Sequence, residues 1–322
     1  MKIQQYLREE GPKSHQGKAG TPSAGGVCFI TAILISYMGA YRWFGWHNPD
    51  SAFVMMVGVI CGAVGFIDDA AKFRHRSNEG ISGKKRLLAE ASLGMFLGLF
   101  VDHLPIYITP SLSLPFTPQY AAFFIALSAF LVAATTNAVN LHDGMDGLAA
   151  GTSFLIFLTM TVMFLTLNQL ILAAVAATAC GALLGFLLFN KKPAAIFMGD
   201  TGSLFIGGLM GALVVASGTV VYFVPLSLIY IAETVSVILQ VVYFKMTKPY
   251  TPEKPMSMLQ LIKAKWGLKA EGKRLFLMAP LHHHFEALLE KKGVTEGQVV
   301  AGFWAAQALL CSGVLSVFFA LR

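Results

Sequence analysis

Nine stretches of this chain are long and apolar enough to cross a bilayer, and they alternate with short polar loops. They fall at about residues 25–44, 51–67, 87–104, 119–138, 149–167, 170–189, 203–217, 222–244 and 299–321. A run of roughly 18 or more apolar residues, wound as a helix, spans a hydrocarbon core about 30 Å thick. With 56% hydrophobic and 13% charged residues, the 322-residue chain is too apolar for a soluble domain of its length. The expected fold is therefore all-α: a polytopic integral membrane protein of about nine transmembrane helices, forming a single domain over residues 1–322. Small residues repeat at Gly94/Gly98, at Gly181/Gly185 and at Gly207, Gly208 and Gly211, which suits close helix crossings in lipid.

Charge orients the spans. Of 24 Lys and Arg, 22 lie in residues 1–24, 68–86, 190–202 and 245–298, leaving Arg42 and Arg322 for the other side. By the bias of cationic residues toward the inner face, these loops are expected to be cytoplasmic. The formal net charge of +7 then belongs to one face. It anchors topology, and it also favours an anionic cytosolic substrate and an anionic lipid headgroup. Cys28, Cys61, Cys180 and Cys311 all sit inside apolar spans, with no CxxC pair or His/Cys cluster. Neither disulfides nor structural zinc is expected.

Carboxylates gather at the same face. Asp68 and Asp69 end the second span and precede Lys72, Arg74, Arg76, Lys84, Lys85 and Arg86. Adjacent acids repel one another and sit poorly at a bilayer boundary, so the spacing predicts one as base or metal partner and the other held by Lys72. In 140–147, Asn140, Asp143 and Asp146 recur every three residues, and a continuous helix would put all three on one face. Asn190 opens a loop through Lys191 and Lys192 to Phe197-Met198-Gly199-Asp200-Thr201-Gly202-Ser203. Asp200 beside glycine and hydroxyl residues suits Mg²⁺, a hard cation that substrate phosphates would complete, although Asp200 or Thr201 could instead cap the next helix. Phe197 could stack a base. His282, His283 and His284 follow Pro280; consecutive histidines cannot all point one way on a helix, and zinc sites prefer spaced ligands. Phosphate or sugar recognition is the preferred reading for them.

Taken in order, GPKSHQGKAGTPSAGG, GFIDDAAKF, NAVNLHDGMDGLAAG, FNKKPAAIFMGDTGSL, ETVSVILQV and GKRLFLMAPLHHHFE closely resemble the phospho-N-acetylmuramoyl-pentapeptide transferases, within the polyprenyl-phosphate hexosamine-1-phosphate transferase superfamily. The resemblance runs from Glu10 to the last span. It implies Mg²⁺-dependent transfer of phospho-MurNAc-pentapeptide from its UDP form to undecaprenyl phosphate, giving lipid I and UMP for peptidoglycan synthesis in a bacterial plasma membrane. It implies a metal ligand at Asp200 and catalytic roles for Asp68, Asp69, Asp143, Asp200 and His282. Lys18, Lys72, Asn140, Asp146, Asn190, Phe197, Gln240, His283 and His284 would hold the donor in a cytoplasmic cleft, where nucleoside inhibitors would also be expected. Membrane lipid surrounds such an enzyme, a homodimer is compatible with it, and no nucleic acid is implied.

The chain departs from the family pattern twice. Ten spans are usual, with one ahead of the GPKSH-like loop, so the first helix is expected to be missing here. Residues 249–271 look inserted, with Trp266 and several lysines suited to an amphipathic helix at the interface. Two rival activities follow from the same residues. A sister enzyme would transfer N-acetylglucosamine phosphate, and the HHHFE element favours the muramoyl branch. An ion-coupled transporter would place acids at span midpoints, whereas only Glu233 lies well inside, where Gln240 one or two turns on could pair with it.

Overall fold

Among the residues described in this computed structural model (22–23, 25–44, 49–75, 80–100, 106–114, 118–250, 252 and 256–322), twelve α-helices and one β-hairpin form the fold. The helices are α1 (Gly25–Phe44), α2 (Pro49–His75), α3 (Gly83–Phe100), α4 (Ala121–His142), α5 (Leu148–Thr166), α6 (Leu170–Asn190), α7 (Gly199–Ser217), α8 (Val220–Leu226), α9 (Leu228–Met246), α10 (Met258–Gly267), α11 (Leu281–Glu290) and α12 (Glu296–Ala320). Strands β1 (Ile106–Thr109) and β2 (Leu112–Leu114) pair antiparallel, Ile106 opposite Leu114.

Eight of these helices are long and apolar enough to cross a membrane: α1, α2, α4, α5, α6, α7, α9 and α12. The chain is a polytopic, mainly helical membrane protein. The expected third span corresponds to α3, which starts earlier than the apolar run and so adds Lys84, Lys85 and Arg86 to the Glu90 already within that run. Those four charges keep it from the same standing. The expected eighth span is broken in two. Pro225 lies near the end of α8, and the chain restarts as α9 at Leu228. Gln307 of α12 donates to the Leu226 carbonyl at 2.9 Å, which satisfies backbone that the break exposes within the bundle.

Helix α7 is the axis. Gly199 to Ser217 is almost wholly buried, packed chiefly against α2 and α4, while α5 pairs with α6 and α3 with α4. Glycines allow this approach. A Cβ on Gly207 would run into the backbone of Thr135 and Thr136 at 2.5 Å, and one on Gly211 into the Thr135 hydroxyl. Gly94 and Gly98 similarly admit the α4 backbone around Ser128. The expectation for Gly181 and Gly185 fails: among the described residues nothing lies within 4 Å of where their Cβ would be. Both are exposed on α6.

The two ends of α7 do different work. Its nineteen residues extend about 28 Å at 1.5 Å per residue. The C-terminal end turns at Gly218, whose carbonyl accepts from Tyr107 of the hairpin at 2.9 Å. The N-terminal end meets the chemistry-bearing loops.

Candidate active site

Asp69 starts α7. Its carboxylate accepts the backbone N–H of Asp200 at 3.1 Å, the N–H of Thr201 at 2.9 Å and the Thr201 hydroxyl at 2.7 Å. It therefore satisfies the free amides of a helix N-terminus from another helix and meets the positive end of the helix dipole. Gly199, at φ 70°, lets the chain approach Asp69 closely. Neither Asp200 nor Thr201 supplies the cap; α2 does. Replacing Asp69 with Ala is expected to lower stability by about 2 kcal/mol, the upper range for losing a cap. Thermal unfolding in detergent checks this, and an unchanged midpoint would mean that α7 is held otherwise.

Asp68, one residue earlier, points to the other side and is buried. Its Oδ1 accepts the Ile81 N–H at 2.5 Å, and its Oδ2 lies 2.7 Å from Lys72 Nζ. Gly80 lies against this carboxylate; a side chain there would overlap it. The same Lys72 ammonium stands 2.8 Å from Asp200 Oδ2. One cation thus bridges the two acids, on helices far apart in sequence. Lys72 was expected to hold one member of the Asp68–Asp69 pair and leave the other as base or metal partner; it holds Asp68, while Asp69 is taken up by the α7 N-terminus.

Asp200 gathers more. Arg86 Nη1 lies 3.4 Å from its Oδ2, and Asn140 Nδ2 donates to its Oδ1 at 2.9 Å and to Ser203 Oγ at 2.9 Å. Behind them, Arg86 Nη2 donates to Asn137 at 3.2 Å and lies 3.7 Å (through Nε) from Glu90, which is fully buried. Sequence reasoning missed Asn137, Ser203 and Glu90 as members, and saw Arg86 only as part of a basic run. Two signals were readable: Arg86 and Glu90 are four apart on α3, and Asn137 and Asn140 three apart on α4, so each pair shares a helix face.

Asn140, Asp143 and Asp146 do not share one helical face. Helix α4 ends at His142 with Asp143 as its C-terminal cap, and Gly147 takes φ 76°, turning the chain into α5. Asp146 is buried and clamps the neighbouring loop: its Oδ2 accepts the Ala194 N–H at 3.1 Å, and its own N–H reaches Glu296 at 3.3 Å. Asn190 works beside it, accepting from the Gly147 N–H at 3.1 Å and donating to the Ile196 carbonyl at 2.9 Å. Lys192 pairs with Glu296 at 2.6 Å. Phe197 is half-buried, and its backbone pairs with Pro22 ahead of α1 and with Gly25 at its first residue. Lys18 lies outside the described residues.

The three histidines diverge as helix geometry requires. His282 is fully buried, its backbone N–H 3.1 Å and its Nδ1 3.1 Å from the Glu233 carboxylate. Burial pushes its imidazole down to about 4, the Glu233 carboxylate opposing part of that shift. His283 Nδ1 lies 3.1 Å from Glu286, and His284 Nδ1 accepts the Leu277 N–H at 3.2 Å. Glu233 therefore pairs with His282 and not with Gln240. Gln240 instead accepts the N–H groups of Leu275 and Phe276 at 3.0 and 2.9 Å, pinning the segment that leads into α11. Within 249–271, α10 is closed by a capping box of Ser257 and Gln260, and Lys245 stands 4.1 Å above the Trp266 ring.

The Asp68–Lys72–Asp200 arrangement can receive a hard divalent cation. Both carboxylates already face one cationic position, and the donors are oxygens, the set Mg²⁺ prefers. A second group, His142, Glu233 and His282, also lies close enough to hold a metal ion, but with two imidazole nitrogens beside one carboxylate.

Residues 51–218 match Glycosyl transferase family 4, a span that contains Asp68, Lys72, Asn140 and Asp200. A phospho-N-acetylmuramoyl-pentapeptide-transferase of Thermoanaerobacter pseudethanolicus is 38% identical over 309 residues, 94% of this chain and 86% of the relative. One from Listeria welshimeri is 36% identical over 321 residues, covering 98% and 89%. With that identity spread over nearly its whole length, from the acids of α2 to the last span, the chain belongs to the phospho-N-acetylmuramoyl-pentapeptide transferase family.

Proposed function

We propose that the chain transfers phospho-MurNAc-pentapeptide from UDP-MurNAc-pentapeptide to undecaprenyl phosphate, at the cytoplasmic face of a bacterial plasma membrane. The observation that carries the assignment is the convergence of Lys72, Arg86 and Asn140 on one carboxylate, Asp200, with Asp68 sharing Lys72. Such a cluster matches a pyrophosphate donor, whose negative charge needs cations and whose metal needs an anionic oxygen ligand.

In this reading Asp200, with Asp68 beside it, would hold Mg²⁺, which would supply neutralisation of the charge on the pyrophosphate. Lys72 and Arg86 turn from Asp200 toward the donor phosphates. Asn140 fixes the Asp200 rotamer while Ser203 fixes Asn140. The lipid phosphate oxygen attacks the sugar-side phosphorus, and the bond from that phosphorus to the bridging oxygen breaks, so UMP leaves. A phosphate monoester is largely dianionic at neutral pH, its second pKa being about 6, so little base strength is required. Asp68 suits the residual proton better than Asp69: its Oδ2 is held by the Lys72 ammonium, which this reading turns toward the donor, whereas the Asp69 carboxylate takes two α7 amides and the Thr201 hydroxyl. Asp69 is then a positioning residue. Asp146 and Asn190 shape the nucleotide side of the cleft through the loops they clamp, next to Phe197. Gln240, His283 and His284 line the side toward α11, with Asp143 between the two.

Release of UMP by the purified chain, given both substrates and Mg²⁺, tests the proposal. Omission of any one is expected to abolish it. Turnover of UDP-N-acetylglucosamine with no turnover of the muramoyl donor would instead assign the sister activity.

A further inference from the structure

The last turn of α4 serves two clusters. Asn140 faces Asp200, and His142, two residues on and so about 200° around the helix, faces a separate buried pocket. There His142, Glu233 and His282 are 0%, 1% and 0% exposed. One donor atom from each lies within 4.8 Å of the others. His142 Nδ1 is 3.6 Å and His282 Nδ1 3.1 Å from the Glu233 carboxylate. Among the described residues, neither nitrogen of His142 has a hydrogen-bond partner, nor has Nε2 of His282. Buried polar atoms are ordinarily paired, and an imidazole with both nitrogens idle, aimed at a carboxylate, calls for a missing partner. No cation from Lys or Arg is paired with Glu233 among the described residues.

We propose that His142, Glu233 and His282 form a second divalent-metal site, distinct from the one at Asp200 and suited to Zn²⁺. Two imidazoles and one carboxylate are a familiar zinc donor set, whereas Mg²⁺ takes oxygens. Donors around a tetrahedral zinc at about 2.0–2.1 Å stand about 3.4 Å apart, so a contraction of about 1.4 Å from the present spread closes the site. The His282 backbone N–H, 3.1 Å from Glu233 Oε1, orients the carboxylate as outer partners of metal ligands do. The rings of Tyr230 and Phe303, centred 4.7 and 5.7 Å from that of His142, exclude water. The bound ion ties α4, α9 and the first turn of α11 together, and so sets where His283 and His284 project. The absence of cysteine pairs pointed away from zinc because these ligands are scattered: Glu233 and His282 alone are 49 residues apart.

The test uses the full chain in detergent, purified without chelator. Elemental analysis is expected to find about one zinc per chain, retained in Asp200→Asn and lost in Glu233→Gln and His142→Gln. Co²⁺ added to stripped protein should give the visible bands of a tetrahedral site in wild type and in Asp200→Asn, and none in the two ligand variants. Zinc should raise the thermal midpoint of wild type and of Asp200→Asn, and of neither ligand variant. If Glu233→Gln does not fold, His142→Gln, whose ring makes no hydrogen bond among the described residues, decides alone. No retained zinc together with no Co²⁺ bands in folded wild type would overturn the site and leave a hydrogen-bonded Glu233–His282 pair.

Discussion

Asp200→Asn is expected to slow UMP release about a thousandfold with the helices intact. An anionic metal ligand supplies several kcal/mol of charge stabilisation in phosphoryl transfer, and each 1.36 kcal/mol is a factor of ten in rate. The substitution keeps the shape and one acceptor for Asn140, 2.9 Å away, but removes the charge that Lys72 and Arg86 face at 2.8 and 3.4 Å. Two effects should separate. The maximal rate falls because the metal ligand is lost, and the Mg²⁺ concentration for half-maximal rate rises. Lys72→Ala should instead weaken donor binding, since its cation reaches the phosphates, and should leave the Mg²⁺ requirement near that of wild type. A loss below tenfold in Asp200→Asn, with unchanged Mg²⁺ dependence, would remove Asp200 from the metal-ligand role.

The helices and the candidate-site acids were legible in the sequence to different depths. Apolar runs marked the spans because lipid leaves a helix few alternatives. The runs could not show that Pro225 divides one of them, since hydropathy is blind to a break that Gln307 repairs from a distant helix. The acids at span ends were visible as types and positions. Their division of labour was not: Asp68 and Asp69 are neighbours, yet one grips Lys72 and the other caps α7. That difference follows from adjacent side chains diverging by about 100° on a helix, with α7 lying on one side only. The three-residue spacing of Asn140, Asp143 and Asp146 misled for a related reason. It assumed a continuous helix, and the chain turns after His142 through a left-handed Gly147. The partner of Glu233 was out of reach because His282 arrives from beyond a long loop, and adjacency in sequence favoured Gln240.

Glu90→Ala is expected to destabilise the fold by about 3 kcal/mol. Glu90 is fully buried beneath the active-site cluster, with Arg86 3.7 Å away and the Asn137 amide donating to it at 2.5 Å. Removing one partner of a buried ion pair leaves the other uncompensated, at a cost of about 3–5 kcal/mol. The low end applies because Arg86 keeps some solvent contact, at 18% exposure, and keeps Asp200. The double change Arg86→Met with Glu90→Leu separates stability from chemistry. Apolar residues of similar volume in place of a buried pair are often neutral for stability, so the thermal midpoint should return toward wild type. Activity should not return, because Asp200 and the donor phosphates have lost a cation that Met cannot replace. Recovery of both would reduce Arg86 to a packing residue; recovery of neither would show that α3 and α4 need the charges to associate.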